Sequence, residues 1–203
     1  MTTSKLTELA QEKKSLGKIT PQESLKWLMT KIQGLKSIKT IPDSIAREEF
    51  RHSNKFRMGQ LYYFYYSPKG KDDLPYYDKF PCVLALEKYD DGFLGLNLHY
   101  LPLKYRVAFI GKLMQYASMT RDDEVKRIRI TYDILVASKR FREFRPCIKR
   151  YLTSHIRSKI LAVQPDEWQI AIALPIHQFK GAKPQEVWQD SLDEMKKKDQ
   201  DED

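Results

Sequence analysis

The run Leu61-Tyr62-Tyr63-Phe64-Tyr65-Tyr66 constrains the fold most, because it is β-prone and places large apolar side chains on both faces of a strand. Such a strand needs packing on each side, which a buried position or a small barrel supplies. Ser67-Pro68-Lys69-Gly70 reads as a turn. Phe80 to Glu87 is a second strand, whose Pro81 is tolerable only at its start. Asp90-Asp91-Gly92 is a hairpin turn, and Phe93 to Leu98 is the returning strand. Short strands at this spacing predict a small β-barrel or curled sheet over residues 58–102.

The flanks follow a helical period. Thr20 as N-cap, Pro21 at the first position and Glu23 reaching back form a capping box. Leu25, Trp27, Leu28, Ile32 and Leu35 then give an apolar face. Residues 1–19 read as a loose charged lead-in, 36–43 as a linker and 43–51 as a short polar helix. From Leu103 the period is helical: Leu103, Val107, Ile110, Leu113, Met114 and Ala117 share one face, with Lys104, Arg106 and Lys112 elsewhere. Residues 127–132 alternate as a strand would, 133–144 read as a helix that Pro146 ends, and Ile148, Tyr151, Leu152, His155 and Ile156 form a further apolar stripe. A last strand at 159–163, a short helix at 165–173 and a disordered acidic tail from Ser191 complete the chain. The expected class is α+β: a barrel-like sheet core with flanking helices. Its parts are a helical N-terminal arm (1–50), a main domain (51–190) and a disordered tail (191–203).

Charge narrows the function classes. The net is +9, with 36 Lys+Arg against 27 Asp+Glu. Residues 104–160 alone carry +10, while 161–203 carry −5. A polyanion-facing surface is the expected consequence, with an acidic tail that is solvated or competes for it. No stretch approaches the roughly 18 apolar residues that span a bilayer, so no membrane association is expected. The N-terminus lacks the apolar core of a signal peptide. Cys82 and Cys147 read as buried free thiols, fitting a reducing compartment.

The strongest candidate site is the basic stretch 139–159, read as helices carrying Lys139, Arg140, Arg142, Arg145, Lys149, Arg150, Arg157 and Lys159 around Phe141, Phe144, Ile148 and Tyr151. Phosphate contacts need cations on a rigid support, and Arg adds a planar fork. Docking onto an acidic protein would use the same charges. Tyr62, Tyr63, Tyr65, Tyr66, Tyr76 and Tyr77 could stack bases, although strand tyrosines more often pack a core. Glu124-Val125-Lys126 has the form of the acid-x-Lys half of a metal-dependent nuclease, which an upstream Asp78 or Asp91 would complete. It reads equally as a polar turn. His52, His99, His155 and His177 lie singly, with no spacing that builds a zinc site, and no cofactor is expected.

Five segments carry a resemblance: L-P-Y-Y-D-K-F-P (74–81), G-F-L-G-L-N-L-H-Y-L-P (92–102), F-R-P-C-I-K-R-Y-L (144–152), P-D-E-W-Q-I-A-I-A-L-P (165–175) and V-W-Q-D-S (187–191). They resemble a family of virion proteins of large contractile-tailed bacteriophages, similar to proteins labelled DNA end protector. The resemblance leaves residues 1–50 outside and brings no catalytic residues with it. It implies a non-enzymatic assembly protein located in the virion, and in the host cytoplasm during assembly. Its expected partners are double-stranded DNA and other head or tail proteins. Trp27 and Leu28, on the N-terminal helix, are the candidates for protein docking. The competing expectations are a purely structural neck or baseplate component and a head-completion nuclease.

Overall fold

A computed structural model describes residues 3–35, 40–119 and 142–200. Helices α1 (Lys5–Ser15), α2 (Pro21–Gln33) and α3 (Ile41–Ala46) precede strands β1 (His52–Ser53), β2 (Leu61–Tyr63), β3 (Tyr77–Asp78), β4 (Cys82–Tyr89) and β5 (Gly92–Asn97). Then come α4 (Leu103–Met119), β6 (Ile148–Leu152), β7 (Ile160–Val163), α5 (Trp168–Ala173), β8 (Phe179–Lys180) and α6 (Pro184–Gln200). Six strands form one antiparallel sheet in the order β1-β7-β2-β4-β5-β6, and β3 pairs with β8 in a second, two-stranded ladder. The class is α+β. No helix among the described residues is long and apolar enough to cross a membrane.

The expected barrel is not formed, because β1 and β6 remain the two edges of an open sheet. The two-faced aromatic run is satisfied in another way. Tyr63 turns toward a large core shared with α1, α4 and α5, where Leu61, Leu84, Leu96, Leu161 and Ile170 are buried. Tyr62, Phe64 and Tyr66 turn to the opposite face and build a second core with Phe93, Tyr151 and Val83. The loop after β1 closes that face: the Phe56 ring lies 4.1 Å from Phe93 and 5.1 Å from Tyr62. Aromatic pairs of this kind contribute roughly 0.5–1.5 kcal/mol each beyond their buried area. An apolar strand can thus be covered by helices on one side and by its own loop on the other, with no closure.

The hairpin is as its turn predicts, with β4 and β5 joined at Asp90-Asp91. Two glycines set its close contacts. A Cβ at Gly92 would sit 1.9 Å from the Tyr151 carbonyl oxygen, and one at Gly95 would sit 2.2 Å from a Val83 methyl carbon. Neighbouring backbone and side chains fill these positions, so β5 runs flush against both neighbours.

Four expectations are corrected. The stripe from Ile148 is not helical: Ile148–Leu152 pairs residue by residue with β5, Tyr151 opposite Phe93 and Ile148 opposite Leu96. Its spacing suits either period, and pairing with an available edge decides. The loose lead-in is helix α1, capped by the Ser4 hydroxyl and burying Leu6, Leu9 and Ala10. Of the expected disordered tail, Ser191 to Gln200 instead continues α6, with Val187 and Ser191 buried, and residues 201–203 lie outside the described residues. Arg106, which its spacing sets off the apolar face of α4, is buried all the same. Only 2% exposed, it donates to the carbonyls of Leu101, Ile172 and His99 at 2.6, 3.2 and 3.2 Å.

Candidate nucleic-acid interface

From His52 to Tyr66, and again from Phe144 to Pro165, the chain contains no Asp or Glu. The fold brings these two segments together. β1 pairs with β7, Ser53 opposite Ile160, so the residues leaving β1 run beside those entering β7. β2 pairs with β7 on its other side. Lys55 and Arg57, in the residues leaving β1, and Arg157 and Lys159, in those entering β7, are all exposed.

Their backbones are held from below. The Arg157 N–H donates to the Tyr65 carbonyl at 2.7 Å, and the Tyr65 N–H donates to the Ser158 hydroxyl at 2.9 Å. The Arg57 N–H donates to the Tyr62 hydroxyl at 2.7 Å, and the Ser53 hydroxyl donates to the Lys55 carbonyl at 2.8 Å. Four cations therefore project from loops whose main chain is pinned to the sheet. That arrangement suits phosphates, which are read by charge and position rather than by sequence.

The eight basic residues singled out from the sequence fare differently. Lys139 and Arg140 lie outside the described residues. Arg142 and Arg145 fall in a short 3-10 helix, Arg142–Cys147, ahead of β6. Lys149 is half-buried, its ammonium 4.5 Å from the centre of the Tyr100 ring, and burial lowers its pKa. Arg150 is an ion-pair partner of Asp91 and lies 4.1 Å over the Tyr89 ring. Arg157 and Lys159 are exposed as expected, but on the β6–β7 connection rather than on a helix. Lys55 and Arg57 were missed because they stand apart from the basic stretch. The absence of acids around both segments was the available signal.

Tyr62, Tyr63 and Tyr66 are core residues, 1%, 0% and 8% exposed, so they present no ring to a base. The Tyr63 hydroxyl donates to the Ala171 carbonyl at 2.7 Å. Trp27 is half-buried against the main core and Leu28 is buried within it, which removes Leu28 as a docking residue. Glu124 and Lys126 lie outside the described residues. Asp91 is taken up by Arg150.

Asp78 lies inside the protein. Its carboxylate accepts from His99 Nδ1 at 2.6 Å, from the Phe80 N–H at 3.1 Å and from the Gln178 N–H at 3.2 Å. Burial opposes its ionisation, but His99 and these backbone donors outweigh it and hold the carboxyl below its usual range. His99 is fully buried and His177 lies 5.8 Å from it, ring centre to ring centre. Burial pushes both imidazoles down, His177 to about 3.

A pH dependence follows. The unfolded chain takes up protons at both imidazoles near pH 6.5, whereas the folded chain keeps them neutral, so the folded state loses stability as pH falls below about 6.5. The slope between about pH 6 and pH 4 should reach roughly 1.4 kcal/mol per pH unit for His177, and His99 adds to it in the same direction. Asp78 adds its own loss only below about pH 4. Urea unfolding at stepped pH checks this, and a midpoint that holds constant from pH 7 to pH 4.5 would refute it.

A family model, that of the phage T4 terminal DNA protecting protein, matches residues 5–191. The match begins in α1, so it takes in N-terminal helices that the resemblance had left outside. No curated protein and no solved structure matches the chain.

Proposed function

The chain belongs to the phage T4 terminal DNA protecting protein family, and from that premise we propose that it binds the end of linear double-stranded DNA through phosphate contacts and shields it by occupancy rather than by chemistry. The family match over residues 5–191 carries this reading. Two segments without acids, one across β1–β2 and one across β6–β7, support it, with Lys55, Arg57, Arg157 and Lys159 as the phosphate ligands. Cations on pinned loops bind a backbone whatever its sequence, which is what a cap on a genome end requires. Its setting is the virion, where the packaged end lies beside other head or tail proteins.

The test compares blunt-ended linear duplex with the same DNA as a closed circle across a salt series, and measures the survival of the bound end against an added exonuclease. The expected result is tight, salt-steep binding that prefers the linear form, each phosphate contact contributing about −0.9 to the log–log slope. Equal weak binding to both forms, with no protection, would sink the reading.

A further inference from the structure

Phe50 is the most exposed large apolar side chain among the described residues, 66% open to solvent. Single exposed apolar residues are ordinary, but this one is held in place. It sits in the 3-10 turn Glu49–Arg51, and the Arg51 guanidinium lies 4.8 Å from the centre of its ring. That guanidinium is itself fully buried, fixed by Glu48, Glu167 and the Thr7 hydroxyl. A flat ring is therefore backed by a rigid charged group and left largely open to solvent. That is the form of a stacking platform rather than of a loose side chain.

Its place is as telling. The Glu49–Arg51 turn packs against β7 and runs straight into β1, the strand from which Lys55 and Arg57 leave. Five residues of chain put the Lys55 Cα no more than about 18 Å from that of Phe50. Ser53 is opposite Ile160, so a short run of chain and one strand pairing bring Lys159 within about 20 Å as well. The charges around the ring itself are mixed: Phe50 shares a surface recess with Lys5, Arg47, Asp43 and Glu49. The exposed Glu49 beside it repels a phosphate, whereas the face of a base pair carries no net charge.

We propose that Phe50 is the residue that reads the DNA end, its ring stacking on the outer face of the terminal base pair while Lys55, Arg57, Arg157 and Lys159 hold the adjoining backbone. This rests on the DNA-end reading and deepens it. Inside a duplex each base-pair face is covered by its neighbour, and uncovering one means breaking a stack. Only an end presents a bare face. Phosphate contacts are alike on linear and circular DNA, so they supply affinity without preference. The ring supplies the preference.

The experiment compares the full chain with its Phe50→Ala and Phe50→Trp variants on blunt linear duplex and on the same DNA as a closed circle. Leu74→Ala, which removes another exposed apolar side chain, is the control. Phe50→Ala is expected to bind ends about tenfold more weakly and circles as tightly as the wild type, the loss of one base–aromatic stack. Phe50→Trp should keep the preference for ends, and Leu74→Ala should leave both affinities unchanged. A 2-aminopurine in the terminal base pair should change its emission when the wild type binds and not when Phe50→Ala binds. A wild type that prefers ends, with a Phe50→Ala variant that prefers them equally, would overturn the stack and leave the DNA-end reading standing, the ring then being a contact for a protein. A wild type with no preference for ends, or with no binding, would overturn both. Urea unfolding is run on each variant, because Phe50 covers Arg51. Should Phe50→Ala unfold early, Phe50→Leu keeps an apolar cover and is expected to lose the preference; a preference equal to the wild type's would count against the proposal.

Discussion

Replacing Arg51 with methionine is expected to cost about 3–5 kcal/mol of stability, the range found when one partner of a buried ion pair is removed. The Arg51 side chain is completely buried. It forms an ion pair with Glu48 and a two-pronged contact with Glu167 at 2.6 and 2.9 Å, and it donates to the Thr7 hydroxyl at 2.6 Å. Glu48 in turn accepts from the Ser4 N–H at 3.0 Å and the Thr7 hydroxyl at 2.8 Å. One guanidinium therefore ties α1, the turn before β1 and the turn before α5 together. Without it, two carboxylates stay buried with no counter-charge. A triple variant that also carries Glu48→Gln and Glu167→Gln should recover much of the loss, because the desolvated charges go with the arginine. Urea unfolding measures both variants. A loss below about 1 kcal/mol for Arg51→Met would mean that water reaches the carboxylates and the network is not the clasp described.

The second large effect concerns DNA. Changing Lys55, Arg57, Arg157 and Lys159 together to glutamine should weaken duplex binding at least about a hundredfold near 0.1 M salt and reduce the log–log salt slope by about 3.6. Stability should fall by no more than about 1 kcal/mol per residue, since all four side chains are exposed. Arg150→Gln should cost less than Arg157→Gln, because Asp91 already neutralises Arg150. An unchanged slope in the fourfold variant would move the interface away from the β1–β7 junction. These two experiments separate a clasp that holds the fold from the surface proposed to bind DNA.

Parts of the molecule were legible because their causes are local. The Thr20–Glu23 capping box starts α2, its Thr20 and Glu23 exchanging the expected reciprocal bonds. The Asp90-Asp91-Gly92 turn makes the β4–β5 hairpin, and alternation along Leu61–Tyr66 sends tyrosines to two faces. The bias of basic residues over acids in the centre of the chain is a property of composition and needs no coordinates.

Other features depend on what a residue meets far along the chain. Arg51 and Arg106 look like surface cations by spacing, and they are buried only because Glu167 in one case, and the carbonyls of Leu101, His99 and Ile172 in the other, satisfy them. The Ile148–Leu152 stripe suits a helix or a strand alike until the free edge of β5 is beside it. α1 is weakly apolar and becomes a helix of the body through the burial of Leu6 and Leu9. What the sequence by itself determined was the α+β class, the hairpin, the capped helix and the excess of basic residues in the centre of the chain, since each is set by composition or by neighbours a few residues away. Tertiary structure alone decided that the sheet stays open, which cations are buried or paired, and that the residues leaving β1 run beside those entering β7. Those outcomes depend on desolvation and pairing between segments about a hundred residues apart, which no local pattern encodes.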